Sequence, residues 1–251
     1  MRSRVGSSEQ DRPGVALAPF RAIVQADLGS LFRSRITYGW LLAAVFLEVV
    51  RTLGSRSAGT TSAVVPSGLS DFVYLWSLVI IGLSASSVSS EAGELADSIM
   101  SKSVTRLDYI LAKFASRIAY TLLSFSVVTA VLVGLTLKLE ASDYDGAGLA
   151  SSIILVAVML VALTALGVGL SVALSNTVMS MVALLVLWYS MTFFFPVAGL
   201  GFLSPGSVAS ELPDIVRGAW SLQDWEALAG FATISGASVA LSSAYFYVKD
   251  L

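Results

Sequence analysis

Charged side chains are concentrated in one segment, residues 90–113, between two long apolar runs. This segment carries seven charges of both signs, whereas only 13% of the whole chain is charged. Its charged residues are Glu91, Glu94, Asp97, Lys102, Arg106, Asp108 and Lys113. Mixed charges on a polar helical segment suit binding to a complementary charged surface. Taken alone, the pattern predicts either a docking surface for a partner or a solvated loop.

The carboxylate of Glu48 is a second candidate because it is the one carboxylate well inside an apolar run, here the first. A charge at the centre of a membrane costs about 2.5–3.5 kcal/mol on insertion scales, so such a residue usually has a partner or a function. Arg51 follows three positions later on the same helix face. Two interpretations stay open. We favour a structural ion pair near the outer end of the run over a residue on a translocation path.

The residue types present exclude several kinds of chemistry. The chain has no Cys and no His, which excludes disulfides, thiolate or imidazole metal ligands, cysteine nucleophiles and histidine-based triads. It has no G-x-x-x-x-G-K-[ST] loop, so we expect no ATP hydrolysis on this chain and no bound cofactor. A net charge of -2 without a basic cluster gives no case for nucleic acid. No cleaved signal peptide is expected.

Composition predicts a single integral membrane domain over residues 1–251. The chain is 56% hydrophobic with a mean hydropathy of +0.82, and soluble domains carry about 25% charged residues. Six apolar runs have the length that a spanning helix requires. They cover about 37–53, 71–89, 109–137, 147–174, 179–200 and 227–248. The predicted fold class is therefore all-α, with six transmembrane helices.

Two flanking segments and one aromatic cluster complete the predicted architecture. Residues 1–36 form the N-terminus, in which 19–35 reads as an amphipathic helix in the headgroup plane, with Asp27 on its polar face. Residues 201–226 carry two prolines and two tryptophans, which favours short helices dipping into the outer interface. The aromatic cluster at 188–196 is interpreted as a lipid-facing belt. Small residues such as Gly167 predict close helix packing.

The distribution of Lys and Arg predicts the orientation. With six spans, 11 of the 15 basic residues fall on the side of the two termini. Basic residues accumulate on the cytoplasmic side of membrane proteins. We therefore expect a multi-pass protein of the cell membrane with both termini in the cytoplasm, which makes the segment 90–108 a cytoplasmic loop.

The polar segment also resembles the loop between spans two and three of type 2 ABC exporter permeases. The resemblance is carried by Glu91 and Gly93, then by residues 101–106, and finally by residues 109–113. The sequence departs from the family pattern at three positions. Ser103 stands where the family often has Pro, Glu94 where Thr is common, and Ala112 where Gly is common.

The resemblance implies a coupling element that receives a separate ATPase subunit. In that family two permease copies pair in the bilayer, and ATP binding on the partner moves the spans. The residues expected to contact the ATPase are Glu91, Glu94, Asp97, Lys102 and Arg106. Two alternatives remain: a membrane-embedded enzyme, for which only Glu48 is a candidate, and a channel or assembly subunit that needs no ATP.

Overall fold

Six helical segments of the described chain are long and apolar enough to cross a membrane. The computed structural model describes residues 18–55, 59–89, 105–174 and 176–248. The spanning segments are Arg35–Ser55, Thr61–Ala85, Arg106–Leu139, Gly146–Ala173, Thr177–Val197 and Leu222–Phe246. No β-strand forms in the described ranges. The predicted all-α membrane fold is confirmed.

The helices run alternately between two ends of the bundle. In chain order they are α1 Ala18–Arg33, α2 Arg35–Ser55, α3 Thr61–Tyr74, α4 Ser77–Ala85, α5 Arg106–Leu139, α6 Gly146–Ala173, α7 Thr177–Val197, α8 Pro205–Val216 and α9 Leu222–Val248. Helices α3 and α4 together form the second span. The end that holds α1 and the start of α5 is called the α1 end here, and the opposite end, which holds α8, is called the α8 end.

Helix α6 lies at the centre of the bundle, where it packs against α4, α5, α7, α8 and α9. Its small residues make this possible. At Gly167 an added Cβ would overlap the side chain of Ser84 on α4 and lie 2.9 Å from Leu184 on α7. The predicted role of small residues in close helix packing is confirmed at this position.

Helix α1 is amphipathic and lies against α5. Its exposed side carries Arg21, Gln25 and Arg33, while Leu31 is buried against the bundle. Ser34 interrupts the helix, and its hydroxyl accepts the Ile36 N–H at 3.3 Å to start α2. The prediction for Asp27 was wrong. Its side chain is buried against α5, because two cations and a hydroxyl on that helix compensate its charge.

The second span begins ten residues earlier than predicted, at Thr61 instead of position 71. The added stretch contains Pro66 and Gly68, and both residue types disfavour helix interiors. The structure nevertheless continues the helix through them. Polar side chains are satisfied within it, because Ser67 donates to the Val64 carbonyl and Ser70 to the Pro66 carbonyl, both at 2.8 Å.

The second span is broken at Leu75 and Trp76, between α3 and α4. The Trp76 N–H reaches back five residues to the Asp71 carbonyl at 2.8 Å, and the Leu78 N–H bonds to Leu75 at 3.3 Å. Neither amide therefore bonds to the carbonyl four residues before it. A break at membrane depth is tolerated only where neighbouring groups satisfy the freed backbone.

Two aromatic side chains of α7 supply that compensation. Trp188 Nε1 donates to the Val73 carbonyl at 3.1 Å, and the Tyr189 hydroxyl donates to the Tyr74 carbonyl at 2.6 Å. Trp188 is buried, whereas Phe193 and Phe194 are exposed. The predicted lipid-facing belt is therefore wrong for Trp188, which is buried and hydrogen-bonds the backbone at the break.

The α8 end is held together by carboxylates that cap helices. Asp143 accepts the Ser62 N–H at 2.8 Å at the start of α3, and Asp145 accepts the Gly148 N–H at 2.7 Å at the start of α6. Helix α8 packs against α3 and α6 with its apolar face buried. The short helices predicted in 201–226 are present as a 3-10 turn, Gly201–Leu203, and α8, while α9 begins at Leu222.

We expect Trp188→Phe to destabilise the protein by roughly 1–3 kcal/mol, because the Val73 carbonyl loses its donor in a buried site. Thermal unfolding in detergent measures this loss. Trp225→Phe is the matched control, since Trp225 is 58% exposed. Equal losses in the two variants would show that Trp188 does not support the break.

Candidate functional site

The predicted docking residues fall largely outside the part of the chain that the structure describes. Glu91, Glu94, Asp97 and Lys102 lie outside the described residues. Arg106 is the first residue of α5, and the preceding Thr105 caps that helix by accepting the Asp108 N–H at 3.1 Å. Residues 106–108, predicted to end the coupling loop, thus form the first turn of a spanning helix.

A buried ion cluster joins α1 to the beginning of α5. Lys113 Nζ lies 3.0 Å from Asp27 Oδ1, and Arg117 Nη2 lies 3.5 Å from the same oxygen. The Ser116 hydroxyl donates to Asp27 Oδ2. The side chains of Asp27, Lys113 and Arg117 are at most 10% exposed. Breaking a buried ion pair is costly, so this cluster fixes α1 to α5.

The environment of Asp27 favours its charged form. Burial alone would raise the pKa of this carboxyl, but the Arg117 guanidinium, the Ser116 hydroxyl and the Lys113 ammonium together hold the pKa below its ordinary value of 3.8. Asp27 is therefore a carboxylate at neutral pH, and the cluster keeps its ion pairs.

The spacing of the α5 residues in this cluster is visible in the sequence, although the predictions above did not use it. Lys113, Ser116 and Arg117 stand at positions i, i+3 and i+4, which places them on one helix face. The predictions above treat Lys113 as part of the polar segment and Arg117 as one of the cytoplasmic charges, and they give Ser116 no role. Finding Asp27 as their partner requires the fold, because 86 residues separate it from Lys113.

A shallow groove of about 310 Å³ follows the same junction. Its lining residues come from α1 and from the first turns of α5: Ile23, Ala26, Asp27, Ser30, Tyr109 and Lys113. Lys113 Nζ also lies 5.6 Å from the centre of the Tyr109 ring, which is within range of a cation–π contact. The junction is thus accessible along one side although its ions are buried.

A second ion cluster lies within the membrane-spanning helices. Arg51 Nη1 is 2.8 Å from Glu48 Oε2, which confirms the predicted pairing of these two residues. Arg51 Nη2 also donates to Asp71 of α3. The predicted pair is therefore a cluster of three, in which one guanidinium connects α2 to α3.

Asp71 was not predicted to be an intramembrane residue, because it is the first residue of the predicted second span, 71–89. It lies ten residues beyond Thr61, about 15 Å along the helix, which is half the roughly 30 Å hydrocarbon thickness. The expectation that Glu48 is the one carboxylate well inside an apolar run was therefore wrong. A longer hydropathy window that tolerated Pro66 and Gly68 would have placed Asp71 inside the span.

Glu48 is enclosed on several sides. The residue is fully buried, and an added Cβ on Gly68 of α3 would lie 2.7 Å from its Oε2. Leu132 of α5 contacts the same glycine position. Asp71, which bonds to Arg51, also provides the carbonyl that accepts two amides at the break in the second span. The cluster and the break thus share one residue.

Comparison with known proteins does not assign the site. No protein-family model matches the chain, and no curated protein matches its sequence. In the described ranges, no three His, Cys, Asp or Glu side chains come together in a way that could hold a metal ion. The two ion clusters are therefore interpreted from their own geometry.

We expect Asp27→Asn to destabilise the protein by about 3 kcal/mol, because it leaves Lys113 and Arg117 buried without this carboxylate. Thermal unfolding of the purified chain measures the loss. Asp214→Asn is the matched control, since Asp214 is 72% exposed and lies 3.7 Å from Arg217. The control should change stability by less than about 0.5 kcal/mol. Similar losses in the two variants would contradict a buried anchor.

The anchor should also depend on pH in a defined direction. The pKa of Asp27 is lower in the folded chain than its ordinary value of 3.8, so its stabilisation is complete above that value and is lost as the pH falls through the folded pKa. The melting-temperature difference between wild type and Asp27→Asn should therefore be constant near neutrality and shrink in strong acid. A difference that grows in acid would contradict this assignment.

Proposed function

We propose that this chain is the membrane-spanning permease subunit of an ATP-driven exporter, coupled to an ATPase on a separate chain. The observation that carries the proposal is the buried anchor of α1 on α5. Its Lys113 lies about 10 Å beyond Arg106 along α5 and is the last residue of the polar segment, 90–113, whose sequence resembles a coupling loop. A force applied to that segment would move α5 and α1 together.

Helix α5 is suited to transmit such a force. It has 34 residues and is about 50 Å long, which exceeds the thickness of the bilayer core. It packs against α1, α2, α6 and α9. Closure of an ATPase dimer on the cytoplasmic side would displace the start of α5, and the helices packed against α5 would move with it.

The proposed pairing of two copies would use the apolar outer faces of α2 and α7. Leu42 and Phe46 of α2 are each 69% exposed, and Val178 of α7 is 67% exposed. These faces must meet either lipid or another protein. We propose that two permease chains associate in the bilayer, as the resemblance implies.

The proposed orientation puts the α1 end in the cytoplasm of the cell. The described basic residues at this end are Arg21, Arg33, Arg35, Arg106, Lys113 and Arg117, and those toward the α8 end are Arg51, Lys138 and Arg217. This excess follows the positive-inside pattern. In this proposed orientation the segment 90–108 would face the side where ATP is available.

Reversal of charge in the coupling segment tests the proposal. We expect the triple variant Glu91→Lys, Glu94→Lys and Arg106→Glu to bind a co-expressed Walker-type ATPase at least about tenfold more weakly, a change of about 1.4 kcal/mol. Co-purification and stimulated ATP hydrolysis are the measurements.

Glu226→Lys is the control, because it reverses an exposed charge near the beginning of α9, at the opposite end of the bundle. This variant should bind the ATPase as wild type does. Unchanged assembly and coupled hydrolysis in the triple variant would refute the docking surface. Steady ion conductance in liposomes without ATP would favour a channel instead.

A further inference from the structure

The intramembrane cluster contains more negative than positive charge. Glu48 and Asp71 contribute two carboxyl groups, and Arg51 contributes one guanidinium. Two fully ionised carboxylates would leave a net negative charge in the spanning helices. Because charges at membrane depth are expensive, such residues either pair or become neutral.

The two carboxyl groups are not equivalent. The side chains of Asp71 and Arg51 are each 23% exposed, whereas that of Glu48 is 0% exposed. Glu48 Oε2 accepts from Arg51, but Glu48 Oε1 is buried and has no hydrogen-bond partner among the residues that the structure describes. An ionised carboxylate is stable in a buried site when donors surround both oxygens. Glu48 lacks the second donor, so it is the carboxyl group that is less able to remain charged.

Among the described residues, the neighbouring helices bring no further charge to Glu48. On its own helix the facing group is Arg51, and on α3 it is Asp71. Helix α5 has no Asp, Glu, Lys or Arg between Arg117 and Lys138. Its titratable Tyr120 is engaged elsewhere, because the phenol accepts from Trp40 and donates to Thr37 near the α1 end. Beyond Lys138, Glu140 accepts from Ser55 at the α8 end.

We propose that Glu48 is a proton-binding site within the membrane, occupied at neutral pH, and that loss of its proton loosens the packing of α2 against α3. Arg51 donates to Oε2, so the proton is carried on the unpartnered Oε1. The carboxylate takes one proton from water to form the neutral acid and returns it to water, with no other bond made or broken. The proposal does not depend on ATPase coupling.

Close packing gives this proton a mechanical consequence. Gly68 leaves just enough room for the Glu48 carboxyl group, since an added Cβ would lie 2.7 Å from Oε2 and 3.0 Å from Leu132 Cδ1. Deprotonation puts a second negative charge into this enclosed space beside Asp71. Water must then enter to solvate it, which requires α2 and α3 to separate. Because the Asp71 carbonyl also accepts the two amides at the break, this separation would also displace the break in the second span.

Infrared spectroscopy of the full chain in phosphatidylcholine vesicles tests the proposal. The carbonyl band of a protonated carboxyl group should be present at neutral pH in wild type and be lost as the pH is raised. The wild-type minus Glu48→Gln difference spectrum should contain this band. Glu226→Gln, at an exposed position, should leave it unchanged.

Hydrogen exchange of the α2 and α3 amides tests the mechanical step. After correction for intrinsic rates, protection in wild type should fall at least about tenfold where the band disappears, while Glu48→Gln should stay within about twofold. Glutamine is the neutral isostere of the protonated acid, so a Glu48→Gln chain that fails to fold would overturn the proposal. A band that survives in Glu48→Gln would also overturn it. A loss of stability when sodium is replaced by choline would overturn the proposal too, because a metal cation, and not a proton, would then be the ligand.

Discussion

A membrane interior supplies no water to polar groups, and this constraint explains the unusual features of the bundle. The break in the second span frees the carbonyls of Val73 and Tyr74, and α7 provides a tryptophan and a tyrosine to bond them. Asp27 is buried where α5 presents two cations. These two departures from a plain apolar helix are thus compensated by contacts with another helix, and such contacts constrain how the helices pack.

Both ion clusters are largely shielded from water, but they differ in the balance of positive and negative charge. At the α1 end, one carboxylate meets Lys113 and Arg117, and its charge is well compensated. In the spanning helices, one guanidinium meets Glu48 and Asp71, so the negative charge exceeds the positive. A compensated cluster holds two elements together. An unbalanced cluster is sensitive to a proton, because neutralising one acid removes the imbalance. The first is therefore an anchor, and the second suits a switch.

The features predictable from the sequence were those that local patterns determine. Long apolar runs revealed six spans, amphipathic spacing revealed α1, and the spacing of Glu48 and Arg51 revealed their pairing. The errors arose where tertiary contacts overrule a local signal. Pro66 and Gly68 weaken helix propensity, yet α3 passes through both, and the lack of a side chain at Gly68 lets the Glu48 carboxyl group approach. The role of Trp188 depends on a carbonyl 115 residues away along the chain, which no local pattern contains.

Helix α5 connects the two clusters physically. Lys113 anchors α1 near its beginning, and Leu132 lies against the Gly68 and Glu48 contact further along the same helix. The 19 residues between them correspond to about 28 Å of continuous helix, and the helix contains neither a proline nor a break. A shift of α5 at the α1 end would therefore be transmitted along continuous helix toward the enclosure of Glu48. Under the two proposals above, such a shift would change how readily that carboxyl group meets water, which would link the proton affinity of the second cluster to the position of the first.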